Sequence, residues 1–231
     1  MIDWHCHLLP QIDDGSKDVE QSLEILASLS EQNIDTVIAT PHFFVNDESP
    51  DSFFERRSEA YEKLKERLTS SSPEILLGAE VRYYPGISRL TDLQKFSIGN
   101  SKLLLLEMPM SKWTQYTAQE VIEISSQRNI KVILAHIERY LHMQNASVIN
   151  SLYSQDIMMQ INSSFLTGMF SRKKALSMLG EGIVQFIGSD CHNTTSRPPK
   201  IKGAYDTVEK YFGEDFVAKI NDFGYAQLKA H

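Results

Sequence analysis

Two cysteines, Cys6 and Cys191, are all that the 231 residues contain. That is too few for a disulfide scaffold and fits a reducing compartment. Long apolar runs are missing as well, and none approaches the ~20 residues needed to cross a bilayer. Nothing resembles a secretory leader: residue 3 is already Asp, and no apolar run follows. The expectation is a cytoplasmic protein without a membrane span. Positive charge is scarce, with 23 Lys and Arg against 30 Asp and Glu, a formal net charge of -7. No basic patch of the kind that holds nucleic acid is visible. An anionic substrate stays possible, because bound cations would offset part of the negative charge. Repeats, linkers and low-complexity segments are also absent, and the Ser-Ser-Ser-Pro stretch at 70–73 reads as a loop. A single domain over 1–231 is expected, long enough to bury a sizeable core.

What is present is an alternation. Seven apolar runs read as strands: 2–6, 35–42, 74–81, 102–108, 131–137, 157–163 and 184–190. Helix-like stretches lie between or after them, at 18–33, 54–68, 118–129, 172–182 and 203–222. The first carries Leu23, Leu26 and Leu29 at a spacing of three, widened by Ile25, and Ser16 is placed to cap it. Gly182 suits the C-terminal end of the 172–182 helix. Strands alternating with helices predict an α/β fold with a parallel sheet, and the Leu- and Ile-rich runs suit strands covered on both faces.

Ligand-type residues stand at or near the C-terminal ends of six of these seven runs. They are His5 and His7, His42, Glu80, Glu107, His136, and Asp190 with His192, and they include five of the seven histidines. Strand C-termini of a parallel barrel converge on one face, so residues far apart in sequence would meet there. His5 and His7 are two apart and point the same way, with Cys6 opposite; Asp190 and His192 repeat the pattern around Cys191. Imidazoles and carboxylates together suit Zn, Fe or Mn, and a bridging carboxylate can hold two ions close together. Any one of these residues alone is better read as an ordinary satisfied polar group. Eight in this arrangement are better read as a metal centre.

The strings HCHLLPQIDDG, ATPH, GAE, LLLLEMP, AHIERY and GSDCHN, in this order, resemble the PHP (polymerase and histidinol phosphatase) family. The likeness runs from residue 2 to about residue 199. It is strongest to the bacterial PHP-type tyrosine phosphatases of capsule and exopolysaccharide operons, which carry H-x-H-x-L-P-x-x-D-D-G, T-P-H, H-x-E-R-Y and S-D-x-H-N with R-P-P. The resemblance implies a distorted TIM-like (β/α)7 barrel and three divalent metal ions, manganese first, with iron or zinc as alternatives. It implies one ion on His5, His7, Glu80 and Asp190. A second would share Glu80 and add Glu107 and His136, and a third would take Asp14, His42 and His192. Asp13 is adjacent to Asp14, and the sequence does not choose between them. Three positions depart from the pattern without removing a ligand: Phe43 for a second His, Ile137 for the commoner Pro, and Cys191 for a small residue.

The implied reaction is hydrolysis of phosphotyrosine by a metal-bridged hydroxide, on a protein such as an autophosphorylated bacterial tyrosine kinase, in control of capsule synthesis. Phosphotyrosine suits this because its leaving phenol has a pKa of about 10. Arg139 and Arg197 are the candidates for binding phosphate, since guanidinium matches phosphate oxygens bidentately. No general acid is identifiable. The alternative is a PHP phosphatase of a small phosphomonoester such as histidinol phosphate, and a third reading is a metal-loaded module without turnover. A rival mechanism hides in Cys191-x5-Arg197, the spacing of thiol-dependent tyrosine phosphatases. It lacks an internal glycine, and Pro198 and Pro199 oppose the helix that such a loop needs. Cys191 is expected to be a buried free thiol.

Overall fold

Every apolar run forms a strand, and every strand pairing is parallel. The structure is a computed structural model that describes residues 1–230, apart from the side chains of Gln127 and Arg128; His231 lies outside the described residues. Strand β1 (Ile2–Cys6) pairs with β2 (Thr36–Ala39), and β2 with β4 (Glu74–Leu77). A six-stranded sheet follows in the order β3 (His42–Phe43), β5 (Glu80–Arg82), β6 (Leu103–Glu107), β7 (Lys131–Leu134), β8 (Met158–Asn162) and β9 (Phe186–Gly188). The runs 35–42 and 74–81, each expected as one strand, are therefore split in two. Pro41 has no N–H to give to a ladder, which breaks the first run. In the second, Arg57 donates to the Gly78 carbonyl at 2.8 Å where a strand neighbour would. The lanes nonetheless continue, because Gly78 donates to the Ala39 carbonyl (2.8 Å) and Glu80 to that of Pro41 (3.0 Å). Beyond β9, Asp190 donates to the His5 carbonyl (2.7 Å) and His7 to that of Cys191 (2.8 Å), with Cys6 and Cys191 forming one parallel bridge. The whole is a mixed α/β fold around a curled parallel sheet.

The period-two alternation of strand side chains divides the core. Ile38, Leu103, Leu105, Ile133, Met158 and Phe186 pack with Ile2 and Trp4 in one cluster on one side of the sheet. The intervening Val37, Leu104, Leu106, Val132, Leu134, Met159 and Ile187 join the larger cluster with the helices. On β6 the first set reads Leu103, Leu105, Glu107. Beyond β9 it reads Phe186, Gly188, Asp190. One face of the sheet is thus apolar toward the strand N-termini and becomes polar at the C-termini.

The helices start and stop for local reasons. Asp18, not Ser16, caps α1 (Val19–Glu31): its side chain accepts the Gln21 N–H at 2.8 Å. Ser16 is instead buried, its hydroxyl 2.8 Å from that of Ser22, so it ties the preceding loop to the helix. Ser49 caps α2 (Pro50–Lys65), with Pro50 in the first turn where its missing N–H costs nothing. Helices α3 (Gln115–Arg128) and α6 (Arg172–Gly180) lie near their expected places, and Gly182 just past α6 has φ +73°. The stretch expected as one helix over 203–222 is two, α7 (Lys202–Phe212) and α8 (Glu214–Lys229), broken at Gly213 with φ +87°. The short helices α4 (Ala146–Tyr153) and α5 (Ser163–Thr167) carry no long apolar stripe and escape detection by periodicity. Among the described residues no helix is long and apolar enough to cross a membrane.

Candidate metal centre

All nine ligand-type residues singled out in the sequence gather at the C-terminal ends of the strands. The Nε2 atoms of His5 and His7 lie 3.1 Å apart. Glu80 sits between four imidazoles. Its Oε2 is 3.2 Å from His5 Nε2, 3.3 Å from His7 Nε2 and 3.0 Å from His42 Nδ1, and its Oε1 is 2.8 Å from His136 Nε2. Asp190 Oδ1 approaches His5 and His7 at 3.8 and 3.7 Å, and Glu107 Oε1 stands 4.0 Å from His136. Asp14 Oδ1 lies 3.5 Å from His42 and 3.4 Å from His192. Asp14 is mostly exposed, whereas the other ligand-type residues are buried or nearly so.

The adjacent aspartates divide their work. Asp13 Oδ2 meets His7 Nδ1 at 2.7 Å and also accepts the His42 N–H at 2.9 Å, while its Oδ1 accepts the Gly15 N–H. Asp13 therefore holds two candidate ligands from outside, and Asp14 faces His42 and His192. Gly15 permits this turn, because a Cβ there would lie 2.3 Å from the His7 carbonyl oxygen. At the other end of the site a Cβ on Gly188 would fall 2.5 Å from that of His5.

Each of four histidines has its Nδ1 occupied by an outer partner, which leaves Nε2 pointing inward. His7 has Asp13, His5 has Gln160 Oε1 at 3.3 Å, His136 has the Tyr140 hydroxyl at 3.2 Å, and His192 has the Asp190 carbonyl at 3.1 Å. This is how proteins fix the tautomer of a ligating imidazole. Two Nε2 atoms facing each other at 3.1 Å cannot both carry hydrogen toward the other, but both can bind one cation. His192 Nε2 is buried without a hydrogen-bond partner. Donor atoms within 4.8 Å of one another form three groups: His5, His7 and Asp190; His42, Glu80 and Glu107; and His7, Asp14, His42 and His192. The donor set fits divalent metal ions.

Gln160 and Asn162 escape the sequence reading, yet they connect the candidate ligands. Gln160, buried on β8, also accepts the His136 N–H at 2.8 Å. Its Nε2 donates to Asn162 Oδ1 (3.0 Å), and Asn162 Nδ2 donates to Asp190 Oδ2 (2.8 Å). The chain His5–Gln160–Asn162–Asp190 thus ties two candidate ligands of one ion together. Their signal was only a polar residue at alternate positions of an otherwise apolar strand. Gln160→Leu is expected to weaken metal binding by about 10- to 100-fold, the usual cost of losing an outer partner. Equilibrium metal titration checks this; unchanged affinity in the folded variant contradicts it.

The charges are balanced among the residues themselves. Burial alone would lower the His7 pKa, but the Asp13 and Glu80 carboxylates carry it well above its ordinary value. Burial would raise Glu80, yet the surrounding histidines, His5 first, hold it well below the usual carboxylate range. His192 is lowered to about 4, by burial and then by His7 and Arg197, so its ring is neutral. The two carboxylates thus favour the charged His7 ring in the metal-free chain. A metal requires it neutral, so binding must release a proton and affinity must rise with pH. Calorimetric metal titration in buffers of different ionisation heat should therefore show proton release; proton uptake would contradict it.

Both candidate arginines border the cluster. Arg139 pairs with Asp190 Oδ2, and Arg197 Nη2 donates to Asp190 Oδ1 at 2.7 Å. A third, Arg82, donates to Glu107 Oε2 at 3.2 Å. Glu138 points elsewhere: it accepts the Asn162 N–H at 3.2 Å, and burial raises its pKa to about 7. Cys191 is fully buried, and its thiol donates to the Asn193 carbonyl at 3.6 Å. Loop 193–197 is held by Asn193 Oδ1, which accepts the Thr195, Ser196 and Arg197 N–H groups at 3.0, 2.7 and 3.1 Å, so those donors do not cradle an anion. Cys191→Ser is expected to keep the phosphatase activity that the sequence motifs imply within about threefold, since a hydroxyl can make the same bond to the Asn193 carbonyl. An inactive but folded Cys191→Ser protein would revive the thiol mechanism.

Comparison with known proteins places the chain among a defined set. The family described as capsular polysaccharide synthesis, CpsB/CapC, matches residues 1–223. Tyrosine-protein phosphatase YwqE of Bacillus subtilis (strain 168) is 33% identical over 224 residues, covering 93% of this chain and 86% of that protein. The putative tyrosine-protein phosphatase CapC of Staphylococcus aureus is 30% identical over 245 residues, covering 96% of this chain and 92% of its own length. A solved structure from work on YwqE and Streptococcus pneumoniae CpsB, described as unique metal-dependent tyrosine phosphatases, superposes with a TM-score of 0.84. It is 28% identical and covers 99% of this chain and 94% of that one.

Proposed function

Because this chain belongs to the capsular polysaccharide synthesis family CpsB/CapC, we propose that it is a metal-dependent protein-tyrosine phosphatase that regulates capsule or exopolysaccharide synthesis. Its substrate is phosphotyrosine on a bacterial tyrosine kinase, and its place is the cytoplasm. The strand lanes form a distorted (β/α)7 barrel, a reading supported by the hydrogen bonds of His7 and Asp190 between β1 and the segment after β9. The observation that carries the functional reading is the trio of inward-facing Nε2 atoms of His5, His7 and His136 around Glu80, each ring with its Nδ1 occupied by an outer partner.

Three divalent ions, manganese first and iron or zinc otherwise, would be held by His5, His7, Glu80 and Asp190; by Glu80, Glu107 and His136; and by Asp14, His42 and His192. When bound, such ions lower the pKa of water to near neutral and offset phosphoryl charge. The chain supplies the rest. Glu80 would be the carboxylate shared between ions. Asp13, Gln160 and Tyr140 hold imidazoles in the ligating tautomer. Arg139 and Arg197, 36% and 40% exposed, are paired to Asp190 by one edge and reach the solvent from which substrate arrives. They bind the phosphoryl oxygens and stabilise charge as it moves toward the leaving phenol.

The test is a ratio. The metal-loaded protein should hydrolyse a phosphotyrosine peptide with a much higher kcat/KM than histidinol phosphate. A ratio reversed in favour of the metabolite makes the small-phosphomonoester reading correct.

A further inference from the structure

A cleft of about 370 Å³ opens directly onto the metal centre, with Asp14 and His42 in its wall. Ile12, Phe44, Asp47 and Glu48 also line it. The Phe44 ring is stacked against His42, centroids 5.1 Å apart and planes 29° apart, and the Arg82 guanidinium lies 5.7 Å from its centroid. Arg56, the cation among the lining residues, is already committed to Glu48 Oε1 (2.6 Å) and the Ile12 carbonyl (2.5 Å), which fixes this wall.

The charges around the cluster are unevenly placed. Arg139 and Arg197 stand at Asp190, whereas the cleft presents Asp14 and Asp47, with Glu48 neutralised by Arg56, beside an apolar wall. Asp14 marks the border, with its Oδ2 4.0 Å from Arg197. A doubly charged phosphoryl group is drawn to the arginines and to the cations the centre would hold, not to the apolar wall. The group joined to that phosphoryl must then lie in the adjoining space. An uncharged flat ring suits the space, because it buries apolar area against Ile12 and meets an aromatic side chain.

We propose that this cleft is the subsite for the phenyl ring of the substrate, with Phe44 and Ile12 as the residues that favour an aryl over an alkyl phosphate. This rests on the phosphatase reading above and extends it to the leaving group. The Phe44–His42 stack also joins this wall to an imidazole of the candidate metal centre.

The probes are phenylphosphonate and methylphosphonate, which share the anionic head and differ in the ring. Their binding to the metal-loaded protein is measured by calorimetry, with metal content and p-nitrophenyl phosphate turnover read alongside. The wild type should bind phenylphosphonate more tightly. Phe44→Ala should weaken phenylphosphonate by about tenfold, the scale of one aromatic contact, and leave methylphosphonate within about twofold. Phe44→Tyr should restore the preference. Equal weakening of both phosphonates, or loss of metal, would show that Phe44 acts only through His42 and overturns the subsite. An unchanged preference in Phe44→Ala overturns it as well. Failure of the phosphatase reading looks different: the wild type then hydrolyses no p-nitrophenyl phosphate whatever it binds.

Discussion

Glu80→Gln is expected to abolish most of the activity, lowering turnover about a thousandfold, the upper range for removing one preorganised electrostatic group. The expectation comes from position. Glu80 is 1% exposed and stands within 3.3 Å of nitrogen atoms on His5, His7, His42 and His136. Glutamine keeps the shape but removes the charge that would be shared by two cations. It also aims an amide at nitrogens that need an acceptor or a metal. Metal content should fall together with turnover, and elemental analysis of the purified variant measures it. A folded Glu80→Gln protein that keeps its full metal complement would place the shared carboxylate elsewhere. Full turnover in that variant would remove Glu80 from the centre altogether.

Arg197→Ala should cost about a hundredfold in kcat/KM, and Arg139→Ala a similar amount, because a guanidinium on a transferring phosphoryl group stabilises charge that grows in the transition state. These variants differ from Glu80→Gln in one respect: the metal should stay. Arg139 touches the cluster through Asp190, and Arg197 through Asp190 with Asp14 Oδ2 a further 4.0 Å away; each variant leaves Asp190 with the other arginine as partner. The loss should appear in both KM and kcat, since the contact forms in the ground state and strengthens later. Arg197→Lys should recover part of it through charge, but not the two-pronged geometry. The measurement is steady-state kinetics on a phosphotyrosine peptide with metal content determined in parallel. Loss of metal in either variant would make the arginine a support for Asp190 rather than a phosphate-binding group.

Much of this centre is legible in the sequence, for a physical reason. A strand buried on both faces must be apolar, so a His or Glu at its end stands out against Leu and Ile. Glu107 after Leu103–Leu106 and His136 after Lys131–Ala135 are of this kind. Parallel pairing then carries those ends to one face. What the sequence hides is whatever depends on how loops turn. Asp13 and Asp14 are indistinguishable as neighbours, and only the close turn at Gly15 sends one outward to His7 and the other toward His42 and His192. Gln160 and Asn162 are neutral amides, and nothing in their type announces that they hold His5 and Asp190. The break at Thr40–Pro41 is written in the proline, but the split at Gly78–Ala79 depends on Arg57, 21 residues earlier in the chain. His136 and Asp190 adopt φ of +32° and +53°, values uncommon outside glycine. Such backbone is tolerated where surrounding contacts fix it, and here it turns two candidate ligands into the site.

The central claim is that phosphotyrosine hydrolysis depends on metal ions gathered around Glu80. The most direct test is the rate on a phosphotyrosine peptide before chelation, after exhaustive chelation, and after manganese is restored. The account predicts that chelation brings the rate to background and that manganese returns it. A chelated protein that retains its full rate while free of metal would contradict it.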